Sequence, residues 1–404
     1  MAHDLAAISM NIQPGADRPE VVLINPVYRE LLAALSLNSA CDFLHLEGDI
    51  VSGHPDRHVM RVRIGAVDTY LKREHHVPWG DRLASWRAGF GWISVSLREA
   101  AALQSLRASE IATPDWIAAG ESADGRAFLV LRSIGPAVDL RRFLHDRRNW
   151  LPRERRSFAR RLAHEVADIH NRGFEYPDLY AKHILIDAEQ ERVTFIDWQR
   201  SRKRKCVSWR SRCRGLAALN ASLADDLVDP AERLAFLLAY YRAADTRSIR
   251  FERVCRLIER RTRRLLGRTS IHEQRRPTLG DSQPLLWLDG EALCVTPMGR
   301  SLFDRDRLCE LAYPNSGLPF QERRIELPNR DTAILACRST NRRIGAIVDI
   351  LRRRSWTSPE ARAAAALLRQ ERLGERPRLL AFGQRQRGWR VVESFLLAME
   401  RSPD

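Results

Sequence analysis

Between His170 and Arg200 the chain reads HNRGFEYPDLYAKHILIDAEQERVTFIDWQR, and this stretch restricts the fold more than any other. Just upstream, Phe158, Leu162, Val166 and Ile169 repeat at helical spacing, and Gly173 stops that helix. Asp178 follows in a loop, with a polar residue, His183, five positions on. Ile184-Leu185-Ile186 reads as an apolar strand, a polar turn comes next, and Val193–Asp197 is a second strand ending on an acid. Two short strands flanking a turn hold Asp178 and Asp197 at one end of a hairpin, facing the same cleft.

Carboxylates so placed suit phosphoryl transfer, in which positioning and charge neutralisation supply most of the catalysis. That chemistry asks for a strand lysine on the nucleotide phosphates and a helix glutamate to orient it. It also needs a loop aspartate for the attacking hydroxyl and a strand-end aspartate for magnesium. The sequence presents them in that order: Lys72 in YLKRE, Glu99 in LREAAAL, Asp178 in YPDLYAKHILI and Asp197 in FIDWQR. Met60, Val62 and Ile64 alternate as a half-buried strand, and Gly65–Asp68 turns it into Thr69–Arg73, so Lys72 lies on the second strand of a hairpin. Ser96 is placed to cap a helix through Leu97–Leu106, with Glu99 early in it. The phosphate-covering loop is expected at Val51–Val59, where Gly53 is the sole glycine and Arg57 adds positive charge. Taken singly, a strand lysine is usually an edge residue and a helix glutamate a surface one. Their shared order joins them.

The 404 residues, 44% hydrophobic and 29% charged, make a globular chain with room for a sizeable core. No apolar run approaches the ~18–20 residues of a membrane span. The N-terminus lacks a basic start followed by an apolar core, so no secretory signal is read. Seven scattered cysteines without a CxxC pair argue against disulfides or zinc and for a reducing cytoplasm. A net charge of +16 favours anionic partners, namely nucleotide, phosphorylated glycolipid, nucleic acid or an anionic membrane face, and charge alone does not choose among them. The densest basic run, Arg200–Arg214 (RSRKRKCVSWRSRCR), is a candidate for lipid headgroups or acceptor phosphates with Trp209 at the interface; the alternative is a solvated loop paired with nearby acids. No nucleic-acid module is recognisable, and nucleic-acid binding is not expected.

The fold class expected is α+β: a bilobal protein-kinase-like domain followed by a truncated second N-lobe-like repeat. Residues 1–41 form a leader and helix, 42–268 the kinase-like domain (N-lobe 42–131, C-lobe 132–268), 269–282 a linker and 283–404 the degenerate repeat. The repeat rests on matches at an offset of 263: Asp68-Thr69 with Asp331-Thr332, Ala100–Ala102 with Ala363–Ala365, Pro114 with Pro377 and Gly120 with Gly383. Phe128–Leu131 returns four residues late, at Phe395–Leu397. An unrelated α+β appendage is the alternative. Lys72 maps to Leu335, or to Cys337 if the following arginine is matched, and Glu99 to Arg362, so this copy is expected to be non-catalytic.

The run GFEYPDLYAKHILID…VTFIDWQR, with YLKREHH and SLREAAAL before it, resembles the lipopolysaccharide kinase family, the Kdo and heptose kinases of the WaaP-like group. The resemblance spans about Asp42–Arg268. It implies a bacterial enzyme, cytoplasmic and peripheral at the inner membrane, that moves the ATP γ-phosphate to a sugar hydroxyl of the lipopolysaccharide inner core. Asp178 is then the base and Asp197 the main magnesium ligand. His183, standing where most kinases carry Asn, is a second ligand or a residue that orients Asp178. The glycine-poor loop, Trp198 after the metal acid and Tyr176-Pro177 in place of His-Arg are departures. The other readings are a protein or small-molecule kinase of the same fold, and a pseudokinase scaffold.

Overall fold

The computed structural model describes residues 19–400 apart from 55–56, 188, 246–248, 268–270, 272–274, 276–290, 313–319, 329–330, 340–357, 373–377 and 388–389. They form two compact units. One holds the described residues of Arg98–Trp116 and Leu131–Asp281, the other those of Ala6–Leu97, Ile117–Val130 and Ser282–Asp404. The expected leader and most of the expected linker lie outside the described residues.

In the second of these units, β1 (Val21–Ile24), β2 (Asp49–His54), β3 (Arg57–Ile64), β4 (Val67–Glu74), β5 (Trp116–Glu121) and β6 (Ala127–Arg132) form one sheet in the order β1-β5-β6-β4-β3-β2. The sheet thus starts at Val21, ahead of the expected boundary at Asp42, because β1 pairs antiparallel with the far-off β5. Alternation along β3 buries His58, Met60, Val62 and Ile64. Short helices α1 (Arg29–Ala34) and α2 (Ala40–Leu44) cover that face, the second fixed by a capping box between Ser39 and Asp42. Leu32, Phe43, Leu44, Leu71 and Phe128 complete the core, with Phe43 stacked on Phe128 at 4.6 Å.

Both N-terminal hairpins are tighter than the sequence suggests. Ile64 pairs with Val67, leaving Gly65-Ala66 as a two-residue turn whose first residue has φ +59, a conformation glycine adopts without strain. Val51–Val59, expected as a loop, is strand on both sides: Gly53 pairs with His58, and the ladder reaches His54 and Arg57. The helix carrying Glu99 is α4 (Val95–Arg107), after α3 (Trp79–Arg87). Ser94 rather than Ser96 stands at its cap, accepting the N–H of Leu97 at 3.2 Å. Ser96 gives its N–H (2.9 Å) and its hydroxyl to the buried Glu74.

In the first unit, β7 (Ala137–Asp139) leads into α5 (Leu140–Asp146), where Asp139 caps the N–H groups of Arg141 and Arg142. The amphipathic α6 (Pro152–Asn171) buries Phe158, Leu162, Val166 and Ile169 as its periodicity predicts. Gly173, at φ +88, ends it where a Cβ would sit 2.2 Å from the Arg204 carbonyl oxygen. β8 (Phe174–Glu175), β9 (Ile184–Asp187), β10 (Val193–Phe195) and β11 (Arg202–Lys203) follow, with β9 central between β10 and β7. The unit is completed by α7 (Trp209–Ser222), α8 (Pro230–Ala243) and α9 (Phe251–Leu266). A cavity of about 450 Å³ lies among Leu144, Phe158, Leu162, Leu219, Phe236 and Ile258, and neither Asp178 nor Asp197 lines it.

The C-terminal region holds β12 (Glu291–Val295), α10 (Pro297–Leu302), α11 (Arg305–Ala312), β13 (Phe320–Glu326), β14 (Thr332–Ser339), α12 (Pro359–Arg372), β15 (Leu379–Arg387) and β16 (Arg390–Met399). Its sheet runs β12-β15-β16-β14-β13, the same relative order as β1-β5-β6-β4-β3. Contacts match as well. Thr296 N donates to Leu380 O at 2.9 Å as Asn25 N does to Ile117 O at 2.9 Å, each just before a proline-started helix. Ser358 N meets the side chain of Gln384 as Ser94 N meets that of Glu121. Arg338 meets Glu360 as Glu74 meets Ser96. Counting along these contacts sets Ala336 against Lys72 and Ala363 against Glu99, one residue away from the expected Leu335 or Cys337 and Arg362.

Candidate active site

The β9–β10 hairpin pairs Ile184 with Phe195, so the segments just outside both strands come together. One is the loop Tyr176–His183, which closes in a short turn where His183 N–H donates to Tyr180 O at 2.9 Å. The other is the turn Ile196–Arg200. Ile196 N–H donates to the His183 carbonyl at 2.9 Å, clipping the two together. Asp197 is held at φ +63, a left-handed conformation that is uncommon for residues other than glycine.

Three of the expected residues converge here. His183 Nδ1 lies 2.8 Å from the Asp178 carbonyl oxygen, and its Nε2 lies 3.3 Å from Asp197 Oδ2. A carbonyl oxygen only accepts, so Nδ1 carries a proton, and Nε2 faces the Asp197 carboxylate, to which it donates when the ring is protonated. Asp178, 6% exposed, also receives a hydrogen bond from Arg200 Nη1 at 2.8 Å. Burial pushes its carboxyl above the ordinary carboxylate range; the Arg200 guanidinium pulls it back, and the Asp197 charge pushes it further up. Glu99 joins this network through its side chain, with Oε1 accepting the backbone N–H of Trp198 at 3.3 Å.

Lys182 was not singled out in the sequence, and Tyr176 only as a departure from the family's pattern. Half-buried Lys182 is held below its usual range by burial, while the charges of Asp197, Asp178 and Asp139 act in the opposite direction. Tyr176 stacks on Trp198 at 4.2 Å and donates its hydroxyl to the Ile196 carbonyl, giving the loop support where His-Arg is missing. Burial first, then Asp197, Asp178 and Glu99, keep that phenol firmly protonated. Lys182 sits inside the very motif that exposed Asp178, but its charge alone did not mark it.

Lys72 is on β4 of the other unit, beside Glu74. Glu74 is raised by burial and lowered by the charge of Arg57, its cross-strand partner. Gly53 lies on β2. The basic run is divided: Arg200, Lys203, Arg204, Lys205, Arg210 and Arg214 are exposed, whereas Trp209 and Arg212 are built into the fold. Trp209 is 9% exposed rather than interfacial, and fully buried Arg212 reaches Asp245 at 2.6 Å and Asn171 at 3.0 Å. Among the described residues no helix is long and apolar enough to cross a membrane, and no three His, Cys, Asp or Glu side chains form a metal cage.

A motif loop and a strand-end acid joined by this hairpin, preceded by a strand lysine and a helix glutamate, define a protein-kinase-like phosphotransferase. Residues 69–241 match the Lipopolysaccharide kinase (Kdo/WaaP) family. The lipopolysaccharide core heptose(I) kinase WaaP of Pseudomonas aeruginosa is 27% identical over 209 residues, covering 49% of this chain and 78% of that protein. A solved structure of WaaP in complex with acyl carrier protein has a TM-score of 0.43 at 23% identity, covering 61% of this chain and 99% of its own. The PknI kinase domain of Mycobacterium tuberculosis has a TM-score of 0.33 at 13% identity, covering 53% and 94%.

Proposed function

We propose that this kinase transfers the γ-phosphoryl group of ATP, with magnesium, to a sugar hydroxyl of the lipopolysaccharide core or a related envelope glycolipid. The observation that carries the reading is the Asp178–His183–Asp197 arrangement. Asp178 takes the proton of the acceptor hydroxyl as the sugar oxygen bonds to the γ-phosphorus and the β,γ-bridging bond breaks, releasing ADP. Its raised carboxyl suits a base. Lys182 and Arg200 lie close enough to the acids to offset phosphate charge, and Lys72, oriented by Glu99, would hold the nucleotide with Gly53 and Arg57. Asp197 and His183 would hold the magnesium ion. Their 3.3 Å separation is near the about 3 Å between neighbouring ligands of an octahedral cation bound at ~2.0–2.1 Å. Bound there, the ion supplies charge neutralisation at the phosphates.

The acceptor follows from the family and the relative, both of which act on lipopolysaccharide; the compartment that reading implies is the cytoplasmic face of the inner membrane. Mass spectrometry of envelope glycolipid from cells with and without the gene tests it: loss of one phosphate from the core is expected, and an unchanged glycolipid would overturn the acceptor. Nucleotide binding with and without magnesium, followed by turnover, separates an enzyme from a pseudokinase scaffold.

We also propose that residues 283–404 are a second, non-catalytic small lobe. The shared strand order and matched contacts support duplication, and Ala336 and Ala363 leave no phosphate clamp in it.

A further inference from the structure

One apolar surface is not used by the phosphotransfer reading. α3 lies between Lys72 and Glu99 in the chain, and its inner side is fixed. Arg82, buried, donates to Glu121 Oε2 at 2.7 Å, and Ser85 is buried one turn further on. Glu121 also accepts the N–H of Ser94, so α3 and the chain beyond it are tied to the end of β5. With that side turned inward, Trp79, Leu83 and Trp86 (i, i+4 and i+7) fall on one stripe. Trp79 and Trp86 are each 59% exposed, and exposed Arg87 flanks them.

Single exposed apolar residues need no explanation. Two indoles two turns apart, on a helix held rigidly from behind, do. An indole has an apolar body and an N–H donor, which suits the headgroup layer of a bilayer better than a dry protein core. The +16 charge of the chain matches an anionic leaflet. The basic run Arg200–Arg214 cannot supply the aromatic anchor, because Trp209 is buried.

We propose that α3 is a membrane-docking helix that seats Trp79 and Trp86 in the headgroup layer of an anionic bilayer. The proposal rests on the envelope-glycolipid reading and adds to it an aromatic anchor that would bring the enzyme to a membrane-held acceptor.

The full-length protein is sedimented with vesicles of phosphatidylethanolamine and phosphatidylglycerol, and with vesicles of phosphatidylcholine. Wild type is expected to partition onto the anionic vesicles, with its fluorescence quenched by brominated lipid. Trp79→Ala with Trp86→Ala should weaken partitioning at least ~10-fold while circular dichroism and nucleotide binding stay unchanged. Trp79→Phe with Trp86→Phe should recover part of it. A wild-type protein that stays in the supernatant, or a double alanine variant that sediments like wild type, would overturn the proposal. So would loss of binding to a protein partner in place of vesicles. Phosphotransfer to lipid-free core oligosaccharide is measured in parallel. Its failure with vesicle binding intact would remove the acceptor and leave the docking surface standing.

Discussion

His183 gives its Nδ1 proton to the main-chain carbonyl of Asp178, 2.8 Å away, and in doing so aims its Nε2 at Asp197, 3.3 Å away. One side chain thereby spans the loop bearing the first acid and the turn bearing the second. The Ile196 N–H, bonded to the carbonyl of the same histidine, closes the link from the other side. Bonds within one hairpin thus link the two acid-bearing segments, and the Glu99 carboxylate, from a distant helix, holds the second of them through the Trp198 N–H.

Asp178→Asn should leave folding and ATP affinity nearly intact and lower turnover by ~10²-fold or more, as loss of a positioned base does. Wild-type turnover in that variant would show the loop to be wrongly assigned. The working base must be ionised, so activity should fall as pH drops through its raised pKa. The positive charge of Arg200 holds that pKa down. Arg200→Ala should therefore move the acid limb of the kcat/KM profile to higher pH, and a shift to lower pH would contradict the pairing.

Asp197 presents a backbone test that is separate from its chemistry. Asp197→Ala and Asp197→Gly should both abolish magnesium-dependent nucleotide binding. At φ +63 glycine carries less strain than alanine, so Asp197→Gly should be the more stable by about 1 kcal/mol in denaturant titration. Equal stabilities would mean that the turn relaxes out of the left-handed conformation.

His170, buried against Tyr240 Oη at 2.7 Å, has its pKa lowered from 6.5 to about 3 by burial and by the charge of Arg212. As pH falls below 6.5 the unfolded chain takes up a proton that the folded chain refuses until near pH 3. Stability should therefore be lost as pH falls through that window, with a limiting slope of about 1.4 kcal/mol per pH unit for this residue. His58, lowered to about 2 by burial, His75 and Arg73, acts in the same direction. Unfolding followed across this range in wild type and His170→Gln should show a smaller slope in the variant; an identical slope would take His170 out of the linkage.

Lys72→Met should weaken nucleotide binding and turnover together if β4 carries the phosphate clamp. A protein shortened to end near Arg276 should keep both if the C-terminal region is, as proposed, a non-catalytic lobe with Ala336 and Ala363 in place of the clamp. Loss of activity with the remaining chain still folded would mean that the C-terminal region completes the enzyme.

By itself the sequence determined the order of the elements and the identity of the acids, because helical periodicity in α6, alternation in β3 and the stop at Gly173 are local signals. The spacing from Asp178 to His183 and on to Asp197 likewise survives in one dimension. What only the tertiary structure decided depends on contacts between residues distant in the chain. β1 belongs to the first sheet because it pairs with β5, and Ser96 is not a cap because Glu74 claims it. Trp209 reads as an interfacial anchor among six arginines until α7 turns it inward, whereas Trp79 and Trp86 look unremarkable until Arg82 meets Glu121 and turns their stripe outward. Lys182 acquires its electrostatic place only when a hairpin brings Asp197 beside it. Burial and Coulomb interaction are properties of neighbourhoods in space, and a chain read in order does not contain them.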